Sequence, residues 1–250
     1  MYASSLPLGF ITGDASIFIH RSVGSRGVNS PEDVGIVAAR LLALGFDWAV
    51  PGPGGACTPE VIAAIELFQA VTEGVDVVRH TRVDGRVDVN GATLRWLGAA
   101  NAPRWEALSS GGSPDAALGF CTSWLNEVLE SAVLAYEGGY RRAHPGAAPL
   151  TVGDASPERG GNAPPHRGHQ TGLACDLRLP HRNGTAGGLR TSSVHYDRAA
   201  MRAQLAALAQ HPCLQFVFLD DEQLIEEGLC RPLAGHDDHA HVEIGAPARL

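Results

Sequence analysis

Two short histidine-rich segments constrain this chain more than anything else in it. The first is His166-Arg-Gly-His169-Gln-Thr-Gly-Leu-Ala-Cys-Asp176, and the second, some sixty residues on, is His236-Asp-Asp-His239-Ala-His241. Five of the eleven histidines fall in these two segments. Imidazoles grouped with a carboxylate suit a borderline metal such as zinc. A fold that uses them must bring the two segments together.

Spacing says how. On a strand, residues two apart point to the same side, so His239 and His241 share a face of the strand predicted by His239-Ala-His-Val-Glu-Ile244. His169 and Asp176 are seven apart, an odd separation that puts them on opposite faces of any continuous strand. A turn must therefore intervene, and Thr171-Gly172 is the place for it because glycine tolerates the dihedrals. With that turn, His169, Asp176 and one histidine of the last strand provide three protein ligands. Three ligands and an open fourth position are the arrangement of a catalytic rather than a structural zinc site. His166, His236 and the remaining one of His239 and His241 are then left to surround the metal and to accept a proton. No HExxH zinc motif and no Gly-x-Ser-x-Gly elbow occurs. Cys175, directly before Asp176, points away from it on a strand, which disfavours a Cys-His enzyme.

Composition excludes other classes. The net charge of −8 argues against nucleic acid, since phosphate binding needs clustered positive charge. All nineteen basic residues are arginine, which reads as codon bias in a GC-rich genome. No apolar run approaches the ~18 residues of a membrane span. The N-terminus carries no basic residue before its weakly apolar stretch, Leu6 to Ile11, and does not read as a Sec signal. The five cysteines, Cys57, Cys121, Cys175, Cys213 and Cys230, contain no CxxC pair, and a disulfide among them stays open.

In chain order, residues 1–22 read as an irregular lead-in. Ser30-Pro31-Glu32-Asp33 starts a helix with Ser30 as N-cap, and the helix stops at Gly45. Thr58-Pro59-Glu60 starts a second helix, and Gly91 to Leu97 holds a short third one. Residues 99–117, rich in Ala, Ser, Gly and Pro, read as a linker. A long amphipathic helix follows, with Phe120, Trp124, Val128 and Ala132 in one stripe. Leu150 to Asp154 is β-like, Asp197 to Gln210 is helical, and Gln215 to Leu219 reads as a buried strand. A short acidic helix, Asp221 to Glu227, precedes the second histidine segment. Helices and strands without regular βαβ alternation predict an α+β fold: a small, largely antiparallel sheet with flanking helices, preceded by three helices.

Two resemblances sharpen these expectations. "GVNSPEDVGIVAARLLALG", "CTPEVIAAIELFQ" and "DGRVDVNGATLRWL" resemble the peptidoglycan-binding-like domain, a three-helix module of many wall hydrolases, over residues 23–98. "VGDASPERGGNAPPHRGHQTGLACDLRLP" with "HDDHAHVEI" resembles the penicillin-insensitive murein endopeptidases, in the group of zinc peptidases that includes lysostaphin-type enzymes and D-Ala-D-Ala carboxypeptidases. That resemblance spans residues 120–245 of a peptidase domain over 118–250. It implies one zinc ion on His169, Asp176 and His241, with His239 as the catalytic histidine. His166 and His236 match the additional histidines of the murein endopeptidase branch, and Arg159 is the residue implied to contact substrate. The implied activity is hydrolysis of peptide cross-links in bacterial peptidoglycan, at a D-Ala–diaminopimelate-type bond. A D,D-carboxypeptidase, an L-Ala–D-Glu endopeptidase and a non-catalytic wall-binding protein are the alternatives. Such enzymes act outside the cytoplasmic membrane, so delivery by lysis or a secretion apparatus is the expectation for a chain without a recognisable signal.

Overall fold

The computed structural model describes residues 17–109 and 116–250. The apolar stretch Leu6 to Ile11 and most of the Ser/Gly-rich segment Ser109 to Pro114 lie outside the described residues. Helices α1 (Pro31–Ala43) and α2 (Pro59–Thr72) both open on the predicted proline. Proline there gives up only an amide that has no intrahelical partner, and its fixed φ suits the first turn. Thr58 caps α2, its side chain accepting from Val61 N at 3.3 Å.

Ser30 holds the N-cap position of α1 without capping it, because its hydroxyl donates to Asp33 instead. Asp33 also accepts the backbone amides of His20 at 2.8 Å and Arg21 at 3.0 Å, latching the lead-in, with its buried Ile19, to the helix. Burial would raise the Asp33 carboxyl, but the bonds from Ser30 and the two amides outweigh it and hold the group below its ordinary value. Asp33→Ala removes the partner of both amides, and a loss of about 2–4 kcal/mol is expected. The measurement is the denaturant midpoint at constant m-value. The lowered carboxyl gives the sign of the pH effect. The latch contributes fully above the ordinary carboxylate pKa and is lost as pH falls through the depressed one.

Strands β1 (Val23–Gly24) and β2 (Arg86–Val87) pair antiparallel, and α3 (Ala92–Leu97) completes the helical half. Gln69 on α2 pins the turn before β2. Its amide donates to Asp84 Oδ1, Arg86 O and Thr93 Oγ1, and its oxygen accepts from the Asp84 and Gly85 amides.

The stretch expected as a linker carries β3 (Trp105–Ala107), paired antiparallel with β4 (Phe120–Thr122). Trp105 is buried among Phe46 and Trp48. Its backbone amide donates to Leu44 O and its indole N–H to Glu158 O, both at 2.7 Å. Phe120 thus belongs to a strand and not to the helical stripe. Helix α4 (Ser123–Tyr136) begins three residues later, capped by Thr122, which accepts from Leu125 N at 3.2 Å.

Strands β5 (Ala174–Arg178), β6 (Leu214–Phe218) and β7 (His239–Ile244) form an antiparallel sheet in the order β5-β7-β6. Helix α5 (Arg198–Leu208) packs on α4, and α6 (Glu222–Glu226) is a single short turn. The fold is α+β with small antiparallel sheets, as the sequence predicted. A further expectation fails: β6 is an edge strand, and of its five residues Val217 alone is fully buried. Gln215 is exposed and Leu214, Phe216 and Phe218 are half-buried, because a strand at the sheet margin has a covering neighbour on one side only, and an apolar run cannot reveal that. All five cysteines are free thiols. Among the described residues, no helix is long and apolar enough to cross a membrane. Phe46, Phe68, Trp105, Leu125 and Leu173 belong to one continuous core that joins the helical half to the sheet half.

Candidate metal centre

The register of the sheet builds the centre. Asp176 on β5 lies directly opposite His241 on β7. Cross-strand partners face the same side, so the carboxylate and the imidazole meet. His169 reaches them through the turn that its odd spacing requires. Gly172 has φ +68°, and a side chain there would fall 2.7 Å from the Trp105 ring and 2.8 Å from Thr122 N. No other residue fits that position. The Gly172 amide donates to Ser156 Oγ at 2.8 Å, and its carbonyl accepts from Thr122 N at 3.0 Å. His169 itself is left-handed, with φ +60°, which is uncommon for a residue with a side chain.

The result is a compact triangle of donor atoms. His169 Nε2 lies 2.9 Å from His241 Nδ1, His241 Nδ1 lies 3.1 Å from Asp176 Oδ1, and Asp176 Oδ1 lies 3.2 Å from His169 Nε2. Relative exposures are 1% for His169, 6% for Asp176 and 9% for His241, so little water competes for these atoms. The far ring nitrogens fix the tautomers. His169 Nδ1 is 3.1 Å from Ala155 O and must donate to it, which leaves a lone pair on Nε2. His241 turns Nε2 toward Glu243, 3.9 Å away, and so presents Nδ1 inward. Burial would raise the Asp176 carboxyl, but His169 and His241, when protonated, bond to it and depress it strongly. Burial would lower His241, but the Asp176 and Glu243 carboxylates lift it to about 9.

The other predicted residues surround this triangle. His166 places Nε2 3.2 Å from Asp154 Oδ2 and Nδ1 3.7 Å from the second oxygen of Asp176. Donor atoms of His166, His169 and Asp176 lie within 4.8 Å of one another, a group able to hold a metal ion. His239 Nε2 is 3.8 Å from Asp176 Oδ1, and its Nδ1 is 2.7 Å from Asp238. His236 sits with its ring 4.8 Å from that of His239, and burial followed by its histidine neighbours lowers its pKa. Arg159 is elsewhere. It lines a separate hollow with Asp47, Trp48 and Trp105, away from the cavity that the histidines share.

That cavity, about 660 Å³, is walled by His166, His169, Phe218, His236, His239 and His241. A second hollow of about 260 Å³ lies beyond His166, Asp176 and His239, bounded by Asp154, Arg178 and Asp238. The triangle therefore stands at a divide between two recesses. Sequence reasoning missed two residues here, Asp76 and Glu243. Their carboxylates and a ring nitrogen of His241 lie within 4.8 Å of one another. Glu243 could have been found by its two-residue offset from His241, whereas Asp76 carries no such signal. No protein-family model matches the chain, and neither does any curated protein.

Proposed function

We propose that this chain is a zinc-dependent murein endopeptidase that hydrolyses peptide cross-links of bacterial peptidoglycan at a D-Ala–diaminopimelate-type bond. The observation that carries this reading is the donor triangle of His169 Nε2, Asp176 Oδ1 and His241 Nδ1. Its edges of 2.9, 3.1 and 3.2 Å are close to the ~3.3 Å between tetrahedral ligands held ~2.0 Å from zinc. Two nitrogens and one oxygen are also a catalytic zinc donor set, and an open cavity adjoins them. Bound there, zinc supplies a Lewis acid and an acidified water.

The chain's own residues do the rest. His239 donates from Nδ1 to Asp238, which leaves Nε2 free at the cavity wall to take the proton of the attacking water. Asp154 orients His166 beside Asp176, and His236 lines the cavity where oxyanion charge develops. Recesses on both sides of the triangle accommodate a chain that continues in both directions. This favours cutting within a peptide over trimming its end. The helical half, by its resemblance to peptidoglycan-binding-like domains, would raise local substrate concentration.

The test is digestion of intact sacculi by zinc-loaded protein, with the products separated and identified. Cross-linked dimers are expected to fall to monomers, and chelation to stop the conversion until zinc is restored. Release of terminal D-Ala with cross-links whole would assign a carboxypeptidase instead. Sacculi bound but left uncut by metal-loaded protein would leave a wall-binding protein.

A further inference from the structure

The loop after α2 reaches across the molecule to the metal-binding turn. Asp76 Oδ2 accepts the backbone amide of His169 at 2.7 Å, across 93 residues of sequence. The approach is as close as the backbone allows. A Cβ at Gly168 would lie 2.1 Å from that same oxygen, so the carboxylate occupies the space a side chain would need. Three further bonds join the loops: Thr171 Oγ1 donates to Val75 O at 2.8 Å and, more weakly, to Asp76 Oδ1 at 3.4 Å, and Val78 N donates to Gln170 Oε1 at 3.2 Å. Asp76 also belongs to the carboxylate group around His241, and with Val77 it forms part of the cavity wall.

We infer that Asp76 is a positioning residue of the metal centre, holding His169 in its left-handed conformation and facing the outer side of His241, so that the helical half completes the site as well as tethering it. This rests on the metal-binding reading above. A left-handed non-glycine residue persists only where its surroundings hold it. The hydrogen bond that Asp76 accepts comes from the amide of the very residue that carries the strain. Carboxylates behind metal-ligating imidazoles orient the ring and raise its basicity. Asp76 thus acts on two of the three ligands from outside the peptidase half of the sequence.

The test is metal affinity of the full chain, read by competition with a chromogenic chelator, together with the visible spectrum of the cobalt-substituted protein. Asp76→Ala is expected to weaken zinc binding by about 10–100-fold and to shift the cobalt bands. Asp76→Asn, nearly isosteric, is expected to weaken it about tenfold, and it carries the test if the alanine variant does not fold. Gln170→Ala cuts the neighbouring Val78 link without touching Asp76, and it should stay near wild-type affinity. Wild-type affinity with an unchanged spectrum in Asp76→Asn would overturn the inference. So would an equal loss in Gln170→Ala, since that would mark a general clip between loops. A wild-type chain that takes up no metal would instead defeat the reading of the site itself.

Discussion

Asp176→Ala is expected to lose zinc by at least about a thousandfold and to release no cleaved cross-links. Structural zinc sites bind with about 10–16 kcal/mol shared over four ligands, or about 2.5–4 kcal/mol each. Asp176 contributes more than one contact. Its Oδ1 faces both His169 and His241, and its Oδ2 faces His166. The variant should still fold, because the backbone pairing of β5 with β7 does not depend on that side chain. Chelator competition and circular dichroism together check this. Tight zinc uptake by a folded Asp176→Ala chain would mean that the donor triangle is not the metal site.

His239→Ala should separate metal binding from catalysis. Its Nε2 lies 3.8 Å from Asp176 Oδ1, outside the triangle, whereas His241 lies inside it. Zinc affinity is expected to remain within a few-fold of wild type. Turnover on cross-linked muropeptides should fall by about 10²–10⁴, the usual contribution of a general base. The fall belongs in kcat, since proton transfer is made in the transition state. If His239→Ala loses zinc while His241→Ala keeps it, the two histidines exchange roles. Measuring both variants side by side decides the assignment.

How much of this was legible depended on whether the signal was local. Helices α1 and α2 were marked at their first turns by Ser30-Pro31 and Thr58-Pro59, and β7 by strict alternation from His239 to Ile244. The turn at Gly172 followed from parity alone, since His169 and Asp176 could not otherwise meet. The pair β3 and β4 was not legible, because three residues are too few to show a period and Phe120 also fits a helical stripe. Asp76 was invisible for a different reason. It sits in Gly-Val-Asp-Val-Val with no partner at any motif spacing, and the residue that needs it lies 93 positions away. Arg159 is the reverse case: the resemblance implied a substrate contact from its loop, and the residue lines a hollow apart from the histidine cavity.

The seam around Trp105 has a consequence for recombination. Its amide is spent on Leu44, its indole N–H on Glu158, and its ring lies against both Phe46 and the turn glycine Gly172. A crossover that replaced the first hundred residues with another helical module would take Leu44 and Phe46 away from the tryptophan and loosen the turn it braces. The halves of this chain are therefore a matched pair in packing, and a graft must carry Trp105 and its sockets together.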